Sequence, residues 1–206
     1  MKIGTKSVLF GAHCFMLHPL FVFAGWWKLY GFPIDPRLWL VFFLHDLGYW
    51  GKPNMDGPEG ERHPEWAARV MSRFGGKWHD LCLYHSRFYA KKANRRFSKL
   101  CVADKLAIVY TPAWLYLPLA KATGEIREYM ALAEKRTGEG EPKYASMQIA
   151  TSSERRWYLD VQEYLCRWVA EHSDGKADTW TPDTPKPCST SPTTSMISMS
   201  CTRQKS

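Results

Sequence analysis

The stretch DPRLWLVFFLHDLG, residues 35–48, decides the fold class. Asp35 is a strong N-cap residue and Pro36 suits the first helical position. From Leu38 to Leu44 every residue is apolar, without the alternation of a half-buried strand. A helix is therefore expected from Pro36, ending near Gly48, and a helix apolar on every side is a buried one. His45 and Asp46 then fall at its C-terminal end, where the chain delivers an imidazole and a carboxylate into an apolar interior.

Helix signals continue on either side. His18-Pro19 opens a helix, because the residue before proline avoids the α region and proline fits the first turn, and Gly31 closes it. Residues 48–62 (GYWGKPNMDGPEGER) carry Gly, Pro, Asn and Asp at turn density, and a loop of this length inside a domain commonly serves function. His63-Pro64 opens the next helix, which Gly75-Gly76 stops. Trp78 to about Lys91 reads as one further helix, and Ser98 caps another that runs through Asp104 to Tyr110. Others are expected near 112–121, 124–136 and 153–171, the 124–136 stretch reading as an amphipathic surface helix. No useful alternating pattern appears, so the expected fold is all-α, a bundle of about seven helices.

Composition agrees with this. The chain has 206 residues, 45% hydrophobic and 23% charged, with a mean hydropathy of -0.37, which excludes collagen-like, coiled-coil and wholly disordered classes. It is long enough to bury a core without disulfides. The six cysteines include no C-x-x-C pair, so neither a zinc ribbon nor a disulfide framework is indicated, and a cytoplasmic protein with reduced thiols is expected. Val8 to Tyr30 has the apolarity of a signal or membrane segment, but His13, His18, Pro19 and Lys28 interrupt it, so it reads as buried helices and no membrane insertion is expected. Residues 174–206 are half Ser, Thr and Pro and read as a flexible tail, leaving 1–173 as the folded domain. The formal net charge of +8 favours anionic partners.

The residues that carry chemistry are His18, His45, Asp46, His63, His85 and Asp104. Imidazole nitrogen and carboxylate oxygen are the ligands of Fe, Mn, Co and Zn, and these six lie at helix starts, helix ends or within different helices that a bundle can bring to one point. A second His-Asp pair, His79-Asp80, lies in an amphipathic stretch and reads as solvated. After His85 come six cations in 13 positions, Arg87 to Lys99. Arg87 and Lys91 follow His85 closely enough to flank such a centre and bind phosphate; Lys105, beside Asp104, is of the same kind. The loop acids Asp56, Glu59 and Glu61 are candidate proton donors.

The ordered set H…HD…H…H…D, with LVFFLHDLGYWG, HPEWAARVM, LCLYHSRFYA and SKLCVADKLA, resembles the HD-domain metal-dependent phosphohydrolase superfamily over residues 13–110. The two additional histidines are similar to those of its dinuclear branch. The resemblance implies an HD-like helical domain in which His18, His45, Asp46 and Asp104 bind one divalent ion and His63 and His85 the second, Asp46 bridging. His18 is preferred to His13 because Val22 and Ala24 follow it as small apolar residues follow the family's first histidine. Many members carry a basic residue three positions after the motif Asp. Here that position is Tyr49, and Lys52 is the nearby substitute. The expected activity is hydrolysis of a phosphoester or phosphoanhydride of a nucleotide or other small phosphorylated metabolite by a metal-activated water, with Asp46, Arg87, Lys91 and Lys52 as the catalytic set and Arg87, Lys91 and Lys105 on the substrate. A diiron oxygenase on the same scaffold, and a non-catalytic basic protein binding RNA or a membrane surface, are the competing readings.

Overall fold

The computed structural model describes residues 1–138 and 149–173; the flexible tail expected at 174–206 lies outside them. The described residues are all-α, without strands. They form α1 (Ile3–Phe10), α2 (His18–Tyr30), α3 (Pro36–Leu44), α4 (Pro64–Met71), α5 (Gly76–Leu83), α6 (Arg87–Lys92), α7 (Lys99–Tyr110), α8 (Ala113–Thr123), α9 (Glu125–Gly138) and α10 (Glu154–His172). Ten helices stand where eight helical stretches, in a bundle put at about seven, were expected. One addition is α1, and another comes from a break in the expected Trp78–Lys91 helix: α5 stops at Leu83, and Ser86, with extended backbone, restarts the chain as α6. His85 sits in that break.

The capping chemistry forms as expected. Asp35 accepts from the Arg37 amide at 3.0 Å, with Pro36 in the first turn of α3. Ser98 accepts from the Cys101 amide at 3.3 Å while its hydroxyl donates to Leu81 O at 2.8 Å, tying the start of α7 to α5. Ser98→Ala is expected to cost about 1–2 kcal/mol, because it removes a cap and leaves a half-buried carbonyl without its donor. A denaturant titration with unchanged slope and a lowered midpoint checks this.

Helix α7 is the axis of the domain. Leu100, Ala103 and Ala107 pack into one apolar cluster with Val22 and Trp26 of α2, Val41 and Phe42 of α3, and Met71 and Trp78. Cys101, Val102 and Leu106 pack on its other side with Phe97 and with Tyr164, Leu165, Trp168 and Val169 of α10. Helices α2 and α7 approach closely at Gly25, where an added Cβ would lie 2.6 Å from the Ala103 carbonyl oxygen. Asp104 is thus carried on a helix with apolar clusters on both sides. A third cluster, with Tyr116, Ile126, Trp157 and Tyr158, joins α8, α9 and α10.

No disulfide joins any two of the four described cysteines, Cys14, Cys82, Cys101 and Cys166, and burial pushes Cys82 up to about 12. No single described helix is long and apolar enough to cross a membrane.

Candidate metal centre

Four helices and one loop bring the six residues together. His18 is the first residue of α2; His45 caps the C-terminus of α3, with Asp46 next to it; His63 precedes Pro64 at the start of α4; His85 lies between α5 and α6; Asp104 is in α7. All six are buried. They form two ligand groups: His18, His45, Asp46 and Asp104 in one, Asp46, His63 and His85 in the other. Asp46 belongs to both and divides its oxygens between them. Its Oδ2 faces His18 Nε2 at 3.4 Å and His45 Nε2 at 3.3 Å. Its Oδ1 faces His63 Nε2 at 3.6 Å and His85 Nε2 at 3.5 Å. Asp104 Oδ1 closes the first group, 3.0 Å from His18 Nε2 and 3.9 Å from His45 Nε2.

The donor set fits divalent metal ions. His45, His63 and His85 each turn Nδ1 to the carbonyl oxygen three residues back, of Phe42, Gly60 and Cys82, so Nδ1 carries the proton and Nε2 its lone pair. The Nε2 atoms of His63 and His85 then face each other at 3.0 Å, two acceptors with no proton to share between them. His45 Nε2 and Asp46 Oδ2 are buried without a hydrogen-bond partner. Buried polar atoms left unpaired are costly, and a cation between them supplies what the protein does not. The buried His and Asp groups are therefore able to hold metal.

Electrostatics follow the same division. Burial, with His85 as neighbour, lowers His63 well below its ordinary value, and burial lowers His18. Burial opposes the charges of His45 and Asp46, but their mutual attraction prevails: His45 is raised and Asp46 is held well below the usual carboxylate range. Asp104 is likewise low against its burial, chiefly because the Lys105 ammonium lies beside it.

A cavity of about 210 Å³ opens beside His18. Its lining combines polar side chains, His13, Tyr49, Asp56, Arg87 and Lys105, with Tyr116, Tyr129, Trp157 and aliphatic side chains of α7, α9 and α10. Of the expected phosphate cations, Arg87 and Lys105 line this cavity. Lys105 Nζ is 2.8 Å from Asp104 Oδ2, and Arg87 reaches Tyr164 Oη at 3.4 Å. Lys91 and Lys52 do not line it. Lys91 is four residues farther along α6 than Arg87, about 6 Å beyond it at the helical rise. Lys52 follows the turn at Gly51, and its carbonyl accepts from the Gly4 amide at 3.1 Å, so its backbone is drawn to α1. Tyr49, in place of a basic residue, stacks on the His63 ring at 3.9 Å between centroids and 13° between planes. Among the loop acids, Glu59 bonds Asn54, Asp56 lines the cavity, and Glu61 lies near Arg87 and Lys105, its carboxyl raised by burial. His79 and Asp80 pair with each other on the exposed side of α5.

Two further residues lie at the site, His13, which the sequence ranks below His18, and Glu125, which it does not single out. His13 lines the cavity with its ring 5.5 Å from that of His18; its Nδ1 donates to Glu125 Oε2 at 3.2 Å, with Ser7 Oγ 3.0 Å from the same nitrogen. Burial opposes its charge, but Glu125 and the nearby carboxylates raise it to about 9. Glu125 is fully buried and also accepts from the Ala12 amide and Thr123. The expectation of a surface helix at 124–136 fails in this first turn, and Glu128 extends the failure by accepting from the Met55 and Asp56 amides of the loop. Only the fold reveals these acids, since nothing in GEIREYM distinguishes an inward carboxylate from a solvated one.

Comparison with protein-family models, with curated proteins and with solved structures gave no match.

Proposed function

We propose that this chain is a metal-dependent phosphohydrolase of the HD type acting on a small phosphorylated substrate, a nucleotide in first place. The observation that carries the reading is the division of Asp46, one oxygen turned to His18 and His45 and the other to His63 and His85. This is the arrangement required of a carboxylate shared by two ions. On this reading His18, His45, Asp46 and Asp104 hold one divalent ion, and His63, His85 and Asp46 the second. Bound there, such ions acidify a water and polarise a phosphoryl oxygen.

The chain's own residues supply the remaining functions. Arg87 and Lys105 bring positive charge to the cavity that His18 also lines, suited to phosphoryl oxygens. Lys105 stays charged despite burial because Asp104 is beside it, its pKa being raised. The carbonyls of Phe42, Gly60 and Cys82 fix the imidazole orientations. Tyr116, Tyr129 and Trp157 offer flat apolar surface to the body of the substrate.

The test is to load the purified protein with Mn, Co, Fe, Zn or Mg and to measure phosphate release from a panel of nucleotides and simple phosphoesters. Metal-dependent release from at least one member is expected, and its absence throughout would remove the proposal. Turnover with redox-inert Mg or Zn separates hydrolysis from dioxygen chemistry, which requires iron.

A further inference from the structure

The connection between α2 and α3 bears a surface that the metal centre does not use. Trp27 and Phe32 are each 54% exposed and Ile34 86%. Leu20, two turns before Trp27 on the same face of α2, is half-exposed as well. Two of these side chains, Trp27 and Phe32, are braced by aromatic contacts: Phe23 stacks on Trp39 at 4.8 Å, and Phe32 meets both Phe23 and Trp27 edge-on at 6.0 and 5.6 Å. A monomer gains nothing from holding a tryptophan, a phenylalanine and an isoleucine together in water.

Cations predominate around this tip. Lys28 follows Trp27 on α2; Arg37 and Lys77 lie over the Trp78 ring at 4.7 and 5.4 Å; Lys99 lies over the Tyr30 ring at 4.9 Å. Lys28, Lys77 and Lys99 are exposed. The acid at the tip, Asp35, is already paired with Arg37 at 2.7 Å.

We propose that the α2–α3 tip is a docking surface for an anionic lipid bilayer, Trp27, Phe32 and Ile34 entering the headgroup boundary while Lys28, Lys77 and Lys99 meet the lipid phosphates. Protruding aromatic and aliphatic side chains ringed by cations match an interface that is apolar below and negative above. A second copy of the chain fits poorly. A two-fold contact through this face would set the same cations against one another. Nucleic acid would satisfy the lysines and leave Ile34 in water. The surface is independent of the catalytic reading, because the 13 residues of α2 separate His18 from the tip by about 18 Å.

The full chain should be sedimented with vesicles of phosphatidylcholine alone and of phosphatidylcholine containing about one third phosphatidylserine. Binding to the anionic vesicles and weak binding to the neutral ones are expected. The triple variant Trp27→Ser, Phe32→Ser, Ile34→Ser should lose affinity by about tenfold or more, and reversal of Lys28, Lys77 and Lys99 to Glu by a similar factor. All six positions are exposed, so unchanged circular dichroism and metal content are expected of both variants. The proposal is overturned if the wild type stays in the supernatant with anionic vesicles or if the triple variant binds as the wild type does. It is also overturned if, without lipid, sedimentation velocity finds a wild-type dimer that the triple variant abolishes.

Discussion

On the proposed reading of two ions per chain and metal-dependent hydrolysis, Asp46→Asn is expected to weaken metal uptake at both positions, taking the metal content to less than one ion per chain and lowering hydrolysis about 10³-fold or more. The reasoning rests on the division of labour at one side chain. Each Asp46 oxygen lies 3.3 to 3.6 Å from two imidazole nitrogens, and the two pairs belong to different ligand groups. Asparagine keeps the shape but loses the negative charge, and its amide nitrogen cannot serve as a ligand. His63→Ala should behave differently, removing the second ion and sparing the group of His18, His45, Asp46 and Asp104. Metal analysis of the two variants beside the wild type reads this directly, before any substrate is known. Equal, undiminished metal content in Asp46→Asn would refute the shared-carboxylate arrangement. There is a second readout in the metal-free protein. The Asp46 carboxyl is held below its ordinary 3.8, so its contribution to stability is present at neutral pH and is lost as the pH falls below that value. Asp46→Asn lacks this share, and its metal-free unfolding midpoint should fall less steeply on acidification.

Gly48→Ala is the second large effect, and it acts through the backbone. A Cβ at Gly48 would lie 1.8 Å from the His63 carbonyl oxygen and 2.7 Å from its carbonyl carbon. Backbone cannot swing aside as the end of a flexible side chain can, so the turn that carries His63 must move. The expected cost is about 3 kcal/mol of stability, at the upper end for overpacking. Displacing His63 also separates its Nε2 from His85 and Asp46, so affinity at the second position should fall about 10- to 100-fold while the first group is preserved. Gly76→Ala is the matched control, because a Cβ there meets nothing within 4 Å. Thermal unfolding and metal titration of the two variants separate the effects; a Gly48→Ala protein with wild-type stability would show that the approach to His63 is looser than described.

Legibility from the sequence differed between elements for physical reasons. Helices α2, α3 and α7 carry local signals at their ends, Pro19 and Gly31, Asp35 and Pro36, Ser98, and these predict starts and stops because a cap is satisfied within a few residues of itself. At the break, Ser86 takes the N-cap position of α6 but makes no cap hydrogen bond. The Trp78–Lys91 stretch is a serviceable helix by propensity, and what ends α5 is the tertiary demand that His85 turn back to Cys82 O and face His63. Lys52 and Lys91 were expected at the cavity from proximity in the chain, which says little once a turn or four residues of helix intervene. His13 and Glu125 lie 112 residues apart, and no local pattern joins them.

The amino-acid order alone therefore determined the all-α class, most helix boundaries and the identity of six residues able to bind metal, because helix caps, apolar runs and ligand chemistry are properties of short stretches. Tertiary structure decided which of those residues meet, that Asp46 divides its two oxygens between two imidazole pairs, that Tyr49 stacks on His63, and that Glu125 points inward. Each of these depends on distances between segments remote in the chain, set by how α2, α3, α4 and α7 pack around one apolar core.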